Sequence, residues 1–167
     1  MRRAWISSLV WLVAACSAEV VQRDEGAELF AQVSALIDRS CAKQVCHGDM
    51  VMNARLSFMT GDLRGVLVDV PACEYDRMPR VAAGDPNHSW LMIKLAGPQR
   101  FVQYLDFLDF MPDVDWTPAV AECSGSLPDG RPWFGTRMPP VDSTQPLDPN
   151  EVELVRRWIE LGAPLSR

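Results

Sequence analysis

Long hydrophobic runs are missing from this chain of 167 residues. The uncharged stretch near its start, Ala4 to Ala15 (AWISSLVWLVAA), has twelve residues. As a helix it spans about 18 Å, well short of a hydrocarbon core of ~30 Å. Behind Arg2 and Arg3 it reads as the apolar region of a secretory signal peptide, and no spanning helix is expected. Runs of Lys or Arg are missing too, and 16 basic side chains stand against 22 acidic ones. That balance argues against nucleic acid as a partner and against non-specific binding to anionic lipid. Histidine is scarce, with only His47 and His88. There is no HExxH, no phosphate-binding glycine loop and no Ser/His/Asp arrangement of recognisable spacing, so no enzyme activity is expected. No segment alternates polar and apolar residues over six or more positions, which makes strands minor. Neither a repeat of fixed period nor a low-complexity tract is present.

What is there begins with Cys16. The preceding Val13-Ala14-Ala15 resembles the lipobox of bacterial lipoproteins. The resemblance implies cleavage before Cys16, a diacylglycerol on its thiol, and a domain tethered to a membrane on the periplasmic or extracellular side of the cell envelope. The alternative is an ordinary signal peptide cut near Ala15 or Ala18, with Cys16 incidental. On the lipoprotein reading residues 1–15 are signal peptide, 16–24 anchor and linker, and 25–167 one domain. Losing Arg2 and Arg3 takes the 16 basic residues to 14 against 22 acidic ones, a balance of −8. The remaining length suffices to bury a core.

Four further cysteines, Cys41, Cys46, Cys73 and Cys123, then lie in an oxidising compartment, where each is expected to have a covalent partner. Cys73 and Cys123 most simply pair with each other, closing a fifty-residue loop. In the chain-entropy model such a closure contributes roughly 4 kcal/mol.

Helical spacing is clearest from Asp24 to Arg39, where Leu29, Phe30, Val33, Leu36 and Ile37 share a face. Residues 48–60 read as loop. Thr60-Gly61-Asp62 starts a short helix over Leu63 to Val68, stopped by Pro71. Asp85-Pro86 is a helix start, with the apolar Ser89 to Leu95 behind it. Residues 99–132 are rich in aromatics, Pro and Asp without period, and read as an irregular insertion. Its aspartates Asp106, Asp109, Asp113 and Asp115 lack the glycine and terminal glutamate of a calcium loop, and are taken as an acidic surface loop. Asp148-Pro149 opens a final helix with Val152, Val155, Trp158 and Ile159 on one face, ended by Gly162. The fold class is mostly α, a small loop-rich helical domain.

Chemistry concentrates in Ser40 to Gly48, SCAKQVCHG. Two cysteines followed at once by a histidine is the order that attaches a c-type haem. The thiols add to two vinyl groups on one porphyrin edge, and the adjacent His47 ligates the iron from below. Met138, in Gly135-Thr136-Arg137-Met138-Pro139-Pro140, offers a soft thioether as the sixth ligand. Met78, in a second Arg-Met-Pro triplet, is its rival. Trp133 beside the loop is a candidate pocket wall, while Trp90 and Trp158 read as core. Arg137 is read evenly, as a partner for a haem propionate or as a solvated loop charge.

These elements, in this order, make the chain similar to the small class I cytochromes c, especially the cytochrome-c-like lipoproteins of environmental bacteria. The resemblance rests on the helix into the Cys-His motif, GDPNHSWLMIKLAG at 84–97, GTRMPP and LDPNEVELVRRWIELGAP at 147–164. It implies a cytochrome-c-like helical domain with covalent haem c, thioethers at Cys41 and Cys46, iron held by His47 and Met138, and envelope redox proteins as partners. The departure is the spacing, four residues (Ala42 to Val45) where the family has two. Cysteines five apart on an unbroken helix diverge by about 140°, so the segment must bulge.

Other readings stay open. Cys41 and Cys46 can form a small-loop disulfide in a haem-free, disulfide-stapled binding or structural module. Zinc can be held by Cys41, Cys46 and His47 with Cys73, Cys123 or His88, although adjacent Cys-His ligands suit one tetrahedral ion poorly. His88 can act as a second histidine ligand or simply cap its helix. A peroxidase would need a vacant distal position.

Overall fold

The computed structural model describes residues 25–43, 46–48, 55–59, 61–96, 123, 125–126, 132–133, 137–140 and 147–165. Residues 1–24, on which the expected signal peptide, Cys16 and linker fall, and most of the expected 99–132 insertion lie outside them. No helix of the described residues is long and apolar enough to cross a membrane.

The described chain is rich in helix. Helix α1 covers 25–40, α2 Leu63–Leu67, α3 Trp90–Ala96 and α4 Pro149–Glu160. A two-residue antiparallel ladder pairs β1 (Gly125–Ser126) with β2 (Pro132–Trp133). Leu29, Val33, Leu36 and Ile37 of α1 are buried and meet Val155, Trp158 and Ile159 of α4 in one core cluster. Trp158 is fully buried, and its indole N–H donates to Pro164 O at 3.0 Å, so burial leaves no polar atom unpaired there. Glu25 pairs with Arg157 and Arg39 with Glu151, so opposite ends of α1 and α4 meet and the helices run in opposite senses. Such exposed pairs contribute at most about 1 kcal/mol each, and the apolar seam carries the association.

The start of α4 is a full capping box. Asp148 accepts from the amides of Asn150 and Glu151, and the Glu151 carboxylate reaches back to the Asp148 amide. At its end Gly162 (φ +87°) and Ala163 (φ +49°) turn left-handed, and Ala163 N–H closes on Trp158 O at 2.9 Å. The turn brings Pro164 back over Gly26, where a Cβ would stand 2.8 Å from Pro164 Cγ.

Asp62 caps α2 by accepting from Gly65 N–H at 2.8 Å. Asp85 and Pro86 start a 3-10 turn, Pro86–His88, and the buried Ser89 hydroxyl then donates to Asp85 O at 2.8 Å, linking turn to α3. Between α2 and this turn the chain is irregular, held by a parallel bridge of Val68 with Val81 and an antiparallel one of Pro71 with Pro79. Pro79 and Arg80 accept from the first amides of α3, Trp90 and Leu91, at 3.0 and 2.8 Å. A loop without period thus serves as the helix's N-terminal cap.

Candidate functional site

Helix α1 delivers Cys41. The amides of Cys41 and Ala42 both donate to Ile37 O, at 2.7 and 2.9 Å, which ends the helix. A turn follows in which Cys46 N–H donates to Lys43 O at 2.8 Å and His47 N–H returns to Cys41 O at 3.2 Å. The chain at His47 therefore comes back to Cys41 instead of continuing the helix. The divergence that an unbroken helix would force on the two sulfurs does not arise.

His47 is held by a short clasp. Its Nδ1 lies 3.1 Å from Leu56 O, its carbonyl accepts from Phe58 N–H at 2.8 Å, and its ring meets Phe58 edge-on at 5.6 Å. Ser57 adds a hydroxyl bond to Gly48 O at 2.7 Å. A proton on Nδ1 directed at a carbonyl fixes the tautomer and leaves Nε2 as the atom able to ligate a metal.

Cys41 and Cys46 are both half-buried thiols, not joined to each other. Burial, then the neighbouring Cys46, pushes the Cys41 thiol up to about 11, against the pull of Arg39. A thiol so protonated at neutral pH is a poor nucleophile for disulfide exchange. Cys73 and Cys123 stand at disulfide distance, with Cα atoms 5.2 Å apart.

Met138 is partly buried and packs against the same core cluster as Cys41 and Phe58. Its N–H donates to Lys94 O at 2.7 Å, and Arg137 Nε donates to Leu95 O at 2.8 Å, so the loop is hung on the last carbonyls of α3. Arg137 is half-buried, with its Nε tied to the backbone of α3. The backbone of Trp133 pairs with Gly125, and its side chain lies outside the described residues. Met78 is buried apart from the main cluster. His88 is exposed and pairs with Asp85 at 2.6 Å, the arrangement of a capping histidine. Trp90 and Trp158 are core residues.

The residues fit a haem on three counts. His47 has an oriented ring, two half-buried thiols flank a closed loop beside it, and a half-buried methionine shares the core. The hydroxyl of Ser40, one position before Cys41, is buried with no hydrogen-bond partner among the described residues. That is a cost a bound group can relieve. No group of three or more His, Cys, Asp or Glu suited to an ion is assembled among the described residues, so nothing there favours zinc. A haem iron, which draws one His and one Met from the chain, needs no such group.

Sequence reasoning missed Leu56 and Phe58 as the clasp of His47, and Glu74 as the partner of Lys94. The first had no signal in the pattern. The second had one: a single lysine inside the apolar WLMIKLA needs a carboxylate when the helix is buried on that side. Compared with known proteins, the chain matches no family model, no curated protein and no solved structure.

Proposed function

We propose that this chain is a membrane-anchored monohaem c-type cytochrome domain that carries electrons between redox proteins of the cell envelope. The observation that carries the reading is the tie from His47 Nδ1 to the Leu56 carbonyl at 3.1 Å, the outer-shell partner that a metal-ligating histidine takes. When bound, haem c supplies a one-electron couple at its iron. The chain's own part is to hold and tune it. Cys41 and Cys46 would hold the porphyrin edge as thioethers, and His47 Nε2 and the Met138 thioether would hold the iron, a pair that would favour the reduced state and raise the potential. The apolar cluster around Trp158 keeps water away from one side of the loop. His47 and Met138 together would occupy the iron's ligand positions from the protein side, which would suit a carrier more than a peroxidase. Cys16 supplies the lipid and therefore the position at a membrane surface.

The haem-free, disulfide-stapled module is the second reading, and the distance between Cys73 and Cys123 favours it equally. Expression in a host competent for haem c attachment separates the two. The expected result is haem that stays with the polypeptide after denaturation and is lost from a Cys41→Ala/Cys46→Ala double variant. A colourless denatured chain defeats the cytochrome reading. A Met138→Ala variant with unchanged low-spin spectrum and potential defeats the assignment of Met138 alone.

A further inference from the structure

Beside Cys73 lies a carboxylate with two donors on one helix face. Glu74 Oε2 accepts from Trp90 Nε1 at 2.8 Å and Oε1 from Lys94 Nζ at 3.0 Å. Trp90 and Lys94 are four residues apart in α3, so one side chain grips a full turn of the helix. All three are largely buried: the Lys94 side chain is 7% exposed and that of Glu74 15%. Trp90 is fixed further by stacking on Tyr75 at 5.7 Å, with Lys94 Nζ 5.9 Å from its ring centroid. The same last turn of α3 presents the Lys94 and Leu95 carbonyls that hold Met138 and Arg137.

We propose that Glu74 is the positioning residue of the Met138 loop, setting the distal ligand by fixing the turn of α3 on which that loop hangs. The ligand role of Met138 rests on the haem reading above; the placement of the loop does not. Replacing Glu74 by a neutral residue removes the negative charge facing Lys94, and a buried ammonium then draws the helix end toward water. The carbonyl of Lys94 moves with it. The Met138 N–H bond ends on that carbonyl and is expected to open with it.

The test uses the full chain, matured with haem and prepared without it, and compares amide hydrogen exchange at Met138 with that at Trp158 in α4. In Glu74→Gln the Met138 amide is expected to exchange at least about tenfold faster than in wild type while Trp158 changes less. In the haem form, imidazole is expected to displace the distal ligand at a correspondingly lower concentration. Should Glu74→Gln not fold, Glu74→Asp, which keeps the charge on a shorter arm, is expected to give a smaller rise at Met138 that still exceeds the rise at Trp158. Met138 exchange that rises no more than Trp158 exchange overturns the proposal and leaves Glu74 a general stabiliser. Absent covalent haem defeats the electron-carrier reading instead, and the exchange contrast still judges Glu74.

Discussion

Ser40, 7% exposed, ends α1 with a buried hydroxyl that meets no hydrogen-bond partner among the described residues, and Cys41 follows it. An unsatisfied buried hydroxyl costs about 1–3 kcal/mol. In protein prepared without haem, Ser40→Ala is therefore expected to raise the unfolding free energy by about 1 kcal/mol. In haem-loaded protein the gain shrinks or reverses if the bound group supplies the partner. Denaturant titration of both forms reads the difference, and an equal gain in both removes Ser40 from the site. Gly26 makes a second residue-scale case, since a Cβ there meets the Pro164 ring at 2.8 Å. Gly26→Ala is expected to lower stability by about 1–3 kcal/mol, although Ala is the better helix former. A midpoint raised by the substitution would mean that the C-terminal segment does not seat on α1. Nothing at the sequence level distinguishes Gly26 from a neutral helix residue, because the clash lies with a residue far along the chain. Leu56 as the partner of His47 was hidden because it lies nine residues on, in a stretch without period.

Among the elements, legibility followed the range of the forces involved. The stripe of α1, the Asp148-Pro149 start and the Gly162 stop of α4, and the Asp85-Pro86 start all depend on neighbours within four residues. Their positions were readable from the chain alone. The Asp62 cap of α2 was equally local, and that helix ends one residue earlier than Val68. By contrast, the bridges of Val68 with Val81 and Pro71 with Pro79 join stretches without period, and only chain closure reveals them. The capping box of α4 predicts that Asp148→Ala costs about 1 kcal/mol by denaturant unfolding, since two amides lose their acceptor. The buried lysine of α3 predicts a pH effect. Burial lowers the pKa of Lys94, and Glu74 offsets part of this through its charge and hydrogen bond. The folded chain thus disfavours the ammonium relative to the unfolded chain, a cost present at neutral pH. It is relieved as pH rises from the lowered pKa of the folded chain to the ordinary value of the unfolded one. Relative to Lys94→Met, the wild type is expected to gain stability from neutrality toward the ordinary lysine range of ~10.4, read from denaturant midpoints at stepped pH. A difference that stays flat or falls contradicts the burial cost.

At the scale of the whole molecule, the first and last helices build one core, so neither is dispensable. A chain lacking residues 147–167 is expected to show no cooperative thermal transition by circular dichroism, because the α1 stripe loses Val155, Trp158 and Ile159 together. Survival of a sharp transition would place the stability elsewhere. The pairing of α1 with α4 also sets an order in time. Contacts between 25–39 and 151–164 close a loop of more than a hundred residues, which is entropically slow. During synthesis the segment bearing Cys41, Cys46 and His47 emerges long before the helix that completes its core. On the cytochrome reading proposed above, an attachment enzyme would therefore meet those thiols on an open chain, and the arrival of α4 would shut the door behind it.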